Sequence, residues 1–208
     1  MSSSCRAQEL NCDLETMSEE LILMADEEQE VRREIMPLIA QYQKDGSGKM
    51  KLFAKAMSME KLDKENQETL QSYLESCGWQ EQLHPDAHNA IYLILQHSPE
   101  DMMTQYFPLV KERMDQGHLD PDDWATMLDR LKMYSGEPQI YGTQTFADDD
   151  NVNWVWPVAN LDSLEIKRAQ VFLPDMETYF KIAKDSTGVV MKWDREMTIE
   201  EARKMKSN

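Results

Sequence analysis

Three repeated start signals in the middle of the chain constrain its fold more than any other feature of the sequence. Pro85-Asp86, Ser98-Pro99-Glu100-Asp101 and Asp120-Pro121-Asp122-Asp123 each place a proline and acidic residues before apolar residues at helical spacing. Proline suits the first turn of a helix, and the helix dipole favours acidic side chains there. The pattern therefore predicts three consecutive helices, of which the last two end at Gly117 and Gly136.

Two longer helices are predicted before this block. Thr16 and Glu19 can form a capping box before an amphipathic stretch, which Pro37 is expected to kink or end. A flexible connection at residues 44–49 separates this stretch from a second helix, expected from about Met59 to Ser76. Shorter helices are predicted to start at Asp162, Pro174 and Thr198.

The pattern changes after Gly136. Residues 140–146 and 152–158 are short, aromatic and β-branched, and they flank an acidic turn at residues 148–151, so we expect a hairpin. The predicted fold is mainly α, a single globular helical domain with a small β-hairpin near residues 139–158. We place a flexible N-terminal segment at 1–15, the helical domain with its hairpin at 16–183, and a C-terminal extension at 184–208.

The charge balance excludes some partners. With 22 basic and 39 acidic residues the chain carries a net charge of −17, which repels phosphate backbones, so no nucleic-acid partner is expected. The whole-chain charge also gives no attraction to anionic membranes. No apolar run reaches the roughly 18 residues of a membrane-spanning helix, so no transmembrane segment is expected.

The cysteines argue against a metal site and against a disulfide scaffold. Cys5, Cys12 and Cys77 are odd in number and include no C-x-x-C pair, so we expect no zinc and no cofactor. Cys77 is predicted to be a buried thiol at the end of an apolar helix. Small residues before Cys5 resemble the end of a lipoprotein signal, but no apolar export region precedes them. The sequence as given favours the cytoplasm; the alternative is a lipid anchor in the cell envelope through Cys5, if a signal precedes it.

Several polar residues are candidates for a functional site. His97 lies where one predicted helix ends and the next begins, so it can act as a general acid or base near neutral pH or simply pack between helices. Asp129 and Arg130 lie late in another helix, where neighbours do not pair with each other; one of them is expected near the core edge, in a structural ion pair or in contact with a ligand. Gln139, Tyr141, Thr143 and Gln144 surround one glycine, which lets neighbouring N–H groups turn toward a ligand.

Together these residues resemble an uncharacterised bacterial family, a domain of unknown function. The resemblance covers about residues 20–180 and is most specific where an Asp-Arg helix is followed by Gln-x-Tyr-Gly-Thr-Gln. Its other positions in this chain are Asp63, Asn66, Gly78-Trp79, Gln96-His97, Gln105, Pro157 and Arg168. The resemblance implies no known activity, but it does imply that polar residues far apart in sequence belong to one shared site.

Three hypotheses for function remain open. The first is a binding module whose polar pocket holds a small polar or anionic ligand, with Arg130, Gln139, Tyr141, Thr143 and Gln144 lining it. The second is a metal-independent hydrolase or transferase, with His97 as acid or base and Asp129 orienting it. The third is a purely structural polar network. The sequence does not specify the ligand, the reaction or the oligomeric state.

Overall fold

Two long antiparallel helices form one side of the molecule in the computed structural model, which describes residues 12–149, 152–188 and 190–206. Helix α1 spans Leu14–Asp45 and α2 spans Lys49–Ser76. The expected capping box at Thr16 is wrong, because the N-cap is Asp13, whose carboxylate accepts a hydrogen bond from the Thr16 N–H at 3.2 Å. Pro37 does not end α1. Helix α2 starts ten residues before the predicted position, and an ion pair between Lys55 and Glu34 ties this early part to α1.

A disulfide closes the open end of this helical hairpin. Cys12, just before α1, is bonded to Cys77, just after α2, with the two Cα atoms 5.9 Å apart. The expectations of a buried Cys77 thiol and of no disulfide are therefore wrong. The odd cysteine count and the spacing carried no signal, because only the antiparallel packing of α1 and α2 brings these two positions together. Cys5 lies outside the described residues.

The three helices signalled by proline are present, and the first of them packs on both α1 and α2. They are α3 (Pro85–Gln96), α4 (Glu100–Asp115) and α5 (Pro121–Tyr134). Their apolar residues join those of α1 and α2 in the main core, which contains Leu21, Leu70, Ile91, Leu95, Met103, Val110 and Met127. Ser98 is not the N-cap of α4: Pro99 has that position, and the Ser98 hydroxyl donates to the Ile94 carbonyl at 2.8 Å.

A small sheet follows α5. Strands β1 (Thr145–Ala147) and β2 (Asn153–Val155) pair antiparallel, with Phe146 opposite Trp154, and β3 (Met191–Lys192) pairs parallel to β2. The predicted hairpin is confirmed, but its strands are shorter than the sequence indicated. The stretch before β1 does not pair as a strand because a helix side chain binds its backbone, as described below.

The remaining helices are α6 (Leu164–Gln170), α7 (Met176–Thr187) and α8 (Ile199–Met205), with a 3-10 turn at Leu161–Ser163 before α6. The capping box at Thr198 and Glu201 is present. Met197 and Ala202 pack against Phe146 and Trp156 of the hairpin region. The fold is therefore mainly α and one domain, whereas the boundaries proposed at residues 15 and 183 stay predictions.

Candidate functional site

The Asp129 side chain organises the loop before β1. Asp129 is fully buried on α5, and its Oδ1 accepts hydrogen bonds from the N–H groups of Ile140 at 2.7 Å and Tyr141 at 3.1 Å. Its Oδ2 accepts from the N–H and the hydroxyl of Thr143, both at 3.1 Å. Burial raises the pKa of this carboxyl, and the backbone hydrogen bonds oppose that shift. The carboxylate is thus committed to the loop.

The two glutamines extend this clamp. Gln139 is fully buried, and its Oε1 accepts from the Gln144 N–H at 2.8 Å while its Nε2 donates to the carbonyls of Gln144 and Trp156. Gly142 lies between them with a φ of +71°, and a Cβ there would approach the Met176 sulfur to 3.1 Å. The loop therefore needs glycine at this position for both its backbone angle and its packing.

Arg130 joins this loop to the end of α3. Its Nε donates to Gln144 Oε1 at 3.1 Å, and its Nη1 donates to the Gln96 carbonyl at 2.6 Å. Among the described residues no hydrogen-bond partner faces the third nitrogen, Nη2, and this atom is not sealed from solvent. Burial lowers the pKa of Arg130, although an arginine keeps its charge at neutral pH. Arg130 therefore presents one free cationic N–H edge.

His97 is the C-cap of α3, directly after Gln96. Its ring Nδ1 is hydrogen-bonded to a carboxylate oxygen of Glu28 on α1, which is 1% exposed. The His97 side chain is 23% exposed, and its Nε2 has no partner within the part of the chain that the structure describes. The role given to Asp129, that of orienting His97, is therefore wrong: Glu28 has that position because Asp129 binds the loop.

Glu28 belongs to a larger charged array between α1 and α2. Arg32, one turn later on α1, lies 3.4 Å from the Glu28 carboxylate and forms a two-pronged ion pair with Asp63 of α2, both distances being 3.0 Å. Gln67, one turn after Asp63, donates from Nε2 to the His97 carbonyl at 3.2 Å. These contacts hold both the backbone and the ring of His97.

The predicted site residues thus fall into two groups. The side chains of Asp129, Gln139, Thr143 and Gln144 are engaged within the protein, and the Tyr141 ring packs edge-on against Trp124. His97 and Arg130 each keep one nitrogen that has no partner among the described residues and is not sealed from solvent. Arg130 connects the two groups through Gln96 and Gln144. Sequence reasoning missed Glu28 and Arg32; their spacing of four residues on one helix was the available signal.

Among residues 12–149, 152–188 and 190–206, no group of three or more histidine, cysteine, aspartate or glutamate side chains is arranged to hold a metal ion. In the same residues no helix is long and apolar enough to cross a bilayer.

Comparison with known proteins identifies a family. The model of a family of unknown function, DUF6624, matches residues 15–192, so the chain belongs to that family. This agrees with the resemblance to an uncharacterised family, whereas the marker motif and the bacterial origin stay predictions. No curated protein and no solved structure matched the chain.

Proposed function

We propose that this protein binds a small anionic ligand beside His97 and Arg130, and that His97 exchanges a proton with it. The observation that carries the proposal is the His97–Glu28 pair. One ring nitrogen is held by a buried carboxylate, and the other has no protein partner among the described residues. A carboxylate on one side of an imidazole fixes the ring and its tautomer, which is how general acids and bases are oriented.

Arg130 supports the choice of an anionic ligand. Its guanidinium is fixed by two hydrogen bonds, one of them to the carbonyl of Gln96, the residue next to His97. A fixed guanidinium with one free N–H edge suits a carboxylate or phosphate oxygen. Because the side chain is already ordered, it loses little conformational entropy when it binds the ligand. Arg32 is near enough to repel Arg130, but Asp63 and Glu28 offset its charge, so Arg130 is the cation available to the ligand.

A thermal-shift panel of inorganic phosphate, sulfate, acetate and citrate tests binding. At least one anion should raise the melting temperature of the parent, and Arg130→Gln should abolish that increase. Arg33→Gln is the matched control, because Arg33 is an exposed arginine next to Arg32. Equal increases in the parent and in Arg130→Gln would contradict the role of Arg130, and no increase for any anion would contradict the ligand class.

Nitrogen NMR of the histidine rings tests the proton-exchange part separately. Neutral His97 should be the Nδ1–H tautomer, because Nδ1 faces Glu28, and Glu28→Gln should change the tautomer balance of this ring alone. His84, whose side chain is 58% exposed, provides the internal control. A neutral His97 protonated on Nε2 would contradict the proposed orientation.

The same arrangement allows a metal-independent hydrolase or transferase. In that case His97 would remove a proton from water or from a substrate hydroxyl, and Arg130 would hold the anionic group. Binding alone would leave the ligand unchanged. The parent can be incubated with any anion that raises its melting temperature and with esters of that anion. Turnover that is lost in His97→Asn would show an enzyme, and no turnover would show a binding protein.

For the loop residues we propose a structural role instead. Asp129, Gln139 and Gln144 are buried, and their polar atoms are used inside the protein. A ligand would have to break these hydrogen bonds in order to reach them, which opposes binding there. The polar pocket first assigned to the whole loop is therefore proposed to be confined to His97 and Arg130.

We also infer that the chain folds in an oxidising compartment. The Cys12–Cys77 disulfide supports this, because such bonds persist in extracytoplasmic proteins and are rare in the cytosol. It favours the cell-envelope alternative over the cytoplasmic one. Mass spectrometry after alkylation of the protein from its native source, without reductant, should find Cys12 and Cys77 unmodified, whereas alkylation of both would contradict the inference.

A further inference from the structure

The far half of the α1–α2 hairpin projects beyond the core. We call residues 36–59 the hairpin arm; none of them is buried. The last buried residue before it is Ile35, and the first after it is Asn66. Ten residues of α1 lie beyond Ile35, which at 1.5 Å per residue gives a projection of about 15 Å.

One face of the arm carries an exposed apolar stripe. Met50, Phe53 and Met57 are 80%, 62% and 51% exposed, and their spacing of three and four residues places them on one side of α2. Leu52 and Ala56, on the other side of the helix, are half-buried. The stripe therefore faces away from α1, and no described residue covers it.

The arm is basic although the chain is acidic. It holds four lysines against one aspartate, a formal net charge of +3, and one of these lysines, Lys55, is paired with Glu34 at the base of the arm. The rest of the chain carries a formal net charge of −20. Lys49 and Lys51 are both exposed and lie about 100° to either side of Met50 around α2. Lysines thus flank the stripe on both sides at the end of the arm.

We propose that the hairpin arm docks on an anionic lipid surface. Met50, Phe53 and Met57 enter the boundary between headgroups and acyl chains, and the flanking lysines bind the anionic headgroups. A helix face with apolar side chains between lysines is the pattern of segments that lie in the membrane interface. The proposal is independent of the site at His97.

The length of the arm resolves the conflict with the whole-chain charge. Electrostatic repulsion is screened over about 8 Å at physiological salt, whereas the arm projects about 15 Å. Lys49 and Lys51, at the end of the arm, therefore lie farther from the acidic body than the screening length. The attraction of each lysine to an anionic surface is then largely retained.

The observations favour a lipid surface over a protein partner. Specific protein interfaces bury about 800 Å² on each side and need matching surfaces. The arm tip offers three apolar side chains and a few lysines on a convex end, to which a fluid bilayer adapts more readily. Binding of the arm to the acidic body of a second copy would be head-to-tail and would build rings or open chains.

Co-sedimentation of the full chain with lipid vesicles tests the proposal. The parent should sediment with vesicles of phosphatidylcholine mixed with phosphatidylglycerol and not with phosphatidylcholine alone. The double variants Phe53→Ser/Met57→Ser and Lys49→Gln/Lys51→Gln should each weaken that binding by about tenfold or more. These side chains are exposed, so circular dichroism should show unchanged folding.

Leu23→Ser/Ile182→Ser is the matched control, because these side chains are 59% and 51% exposed but lie outside the arm. It should bind vesicles like the parent. Three results would each overturn the proposal: the parent does not bind anionic vesicles, it binds neutral vesicles equally well, or the control variant loses as much binding as the arm variants. Sedimentation velocity without lipid adds one more outcome: self-association that Phe53→Ser/Met57→Ser abolishes would make the arm an interface between copies and would likewise overturn it.

Discussion

At the scale of single residues, one buried carboxylate determines the shape of the loop before β1. Asp129 accepts hydrogen bonds from three backbone N–H groups and from the Thr143 hydroxyl. Asp129 is fully buried, and the three residues whose N–H groups it binds are half-buried. A buried donor without a partner is costly, so the loop and the side chain depend on each other.

Asp129→Asn should therefore destabilise the protein. The amide supplies one oxygen in place of two, and its NH2 group faces N–H donors instead of accepting from them. Because at least one donor loses its partner at a fully buried position, we expect a loss of about 2–3 kcal/mol in the free energy of unfolding, measured by urea denaturation. Asp115→Asn, at a carboxylate that is 56% exposed, should change it by less than about 0.5 kcal/mol. Equal effects would contradict the clamp.

Residue identities were predictable from the sequence only where the signal was local. His97 and Arg130 stood out because they sit at predicted helix ends and beside a glycine-containing loop. Glu28 was not predicted as the partner of His97, since the two are 69 residues apart and meet only through the packing of α1 on α3. A hydrogen bond of that kind leaves no periodic trace in a sequence.

At the scale of elements, the first turn of α5 concentrates negative charge. Asp120, Asp122 and Asp123 lie together there. Burial, and then repulsion by the charges of Asp122 and Asp120, raises the pKa of Asp123 to about 7. The dipole of α5 favours a negative charge at this end, but it does not offset these two effects. Ionising Asp123 therefore opposes folding.

The sign of the pH dependence follows from that shift. A carboxyl whose folded pKa is raised from 3.8 to about 7 stabilises the fold at low pH, and the benefit is lost as the pH rises through about 7. Asp123→Asn removes the ionisation. The free energy of unfolding of this variant, relative to that of the parent, should therefore rise by about 1–2 kcal/mol from about pH 4 to about pH 8, after allowance for solvent screening. Urea denaturation at both pH values measures the difference. Asp86→Asn, at a carboxylate 74% exposed in the first turn of α3, should show no such trend.

Element starts were predictable where proline and acidic residues mark them, as at Pro85 and Pro121, because these signals act within one turn. The early start of α2 was not. Met50, Phe53 and Met57 are exposed, so they follow no core pattern, and α2 is supported there by its pairing with α1. Strand ends were misplaced for a related reason, since the Asp129 clamp competes with strand pairing.

At the scale of the whole molecule, the disulfide fixes the two longest helices at the end opposite the arm. Cys12 and Cys77 are 65 residues apart in sequence, so the bond removes much of the freedom of the unfolded chain. The main core also packs on this hairpin through α3. Loss of the bond should therefore lower global stability and leave the native fold in place.

Reduction should lower the free energy of unfolding by about 2–4 kcal/mol, visible as a decrease in melting temperature. The double variant Cys12→Ser/Cys77→Ser should melt like the reduced parent and should not respond to reductant. A parent whose melting temperature is the same with and without reductant would contradict the structural role of the bond.

The same covalent link has a consequence for a chain cut by a protease. The exposed connection at residues 46–48 is the accessible place for a cut, and Cys12 and Cys77 would still tether the two fragments. Glu28 and Arg32 would belong to one fragment, and their partners Asp63 and His97 to the other. The nicked protein should run as one band on a non-reducing gel and as two after reduction, with the His97 environment preserved until the tether is broken.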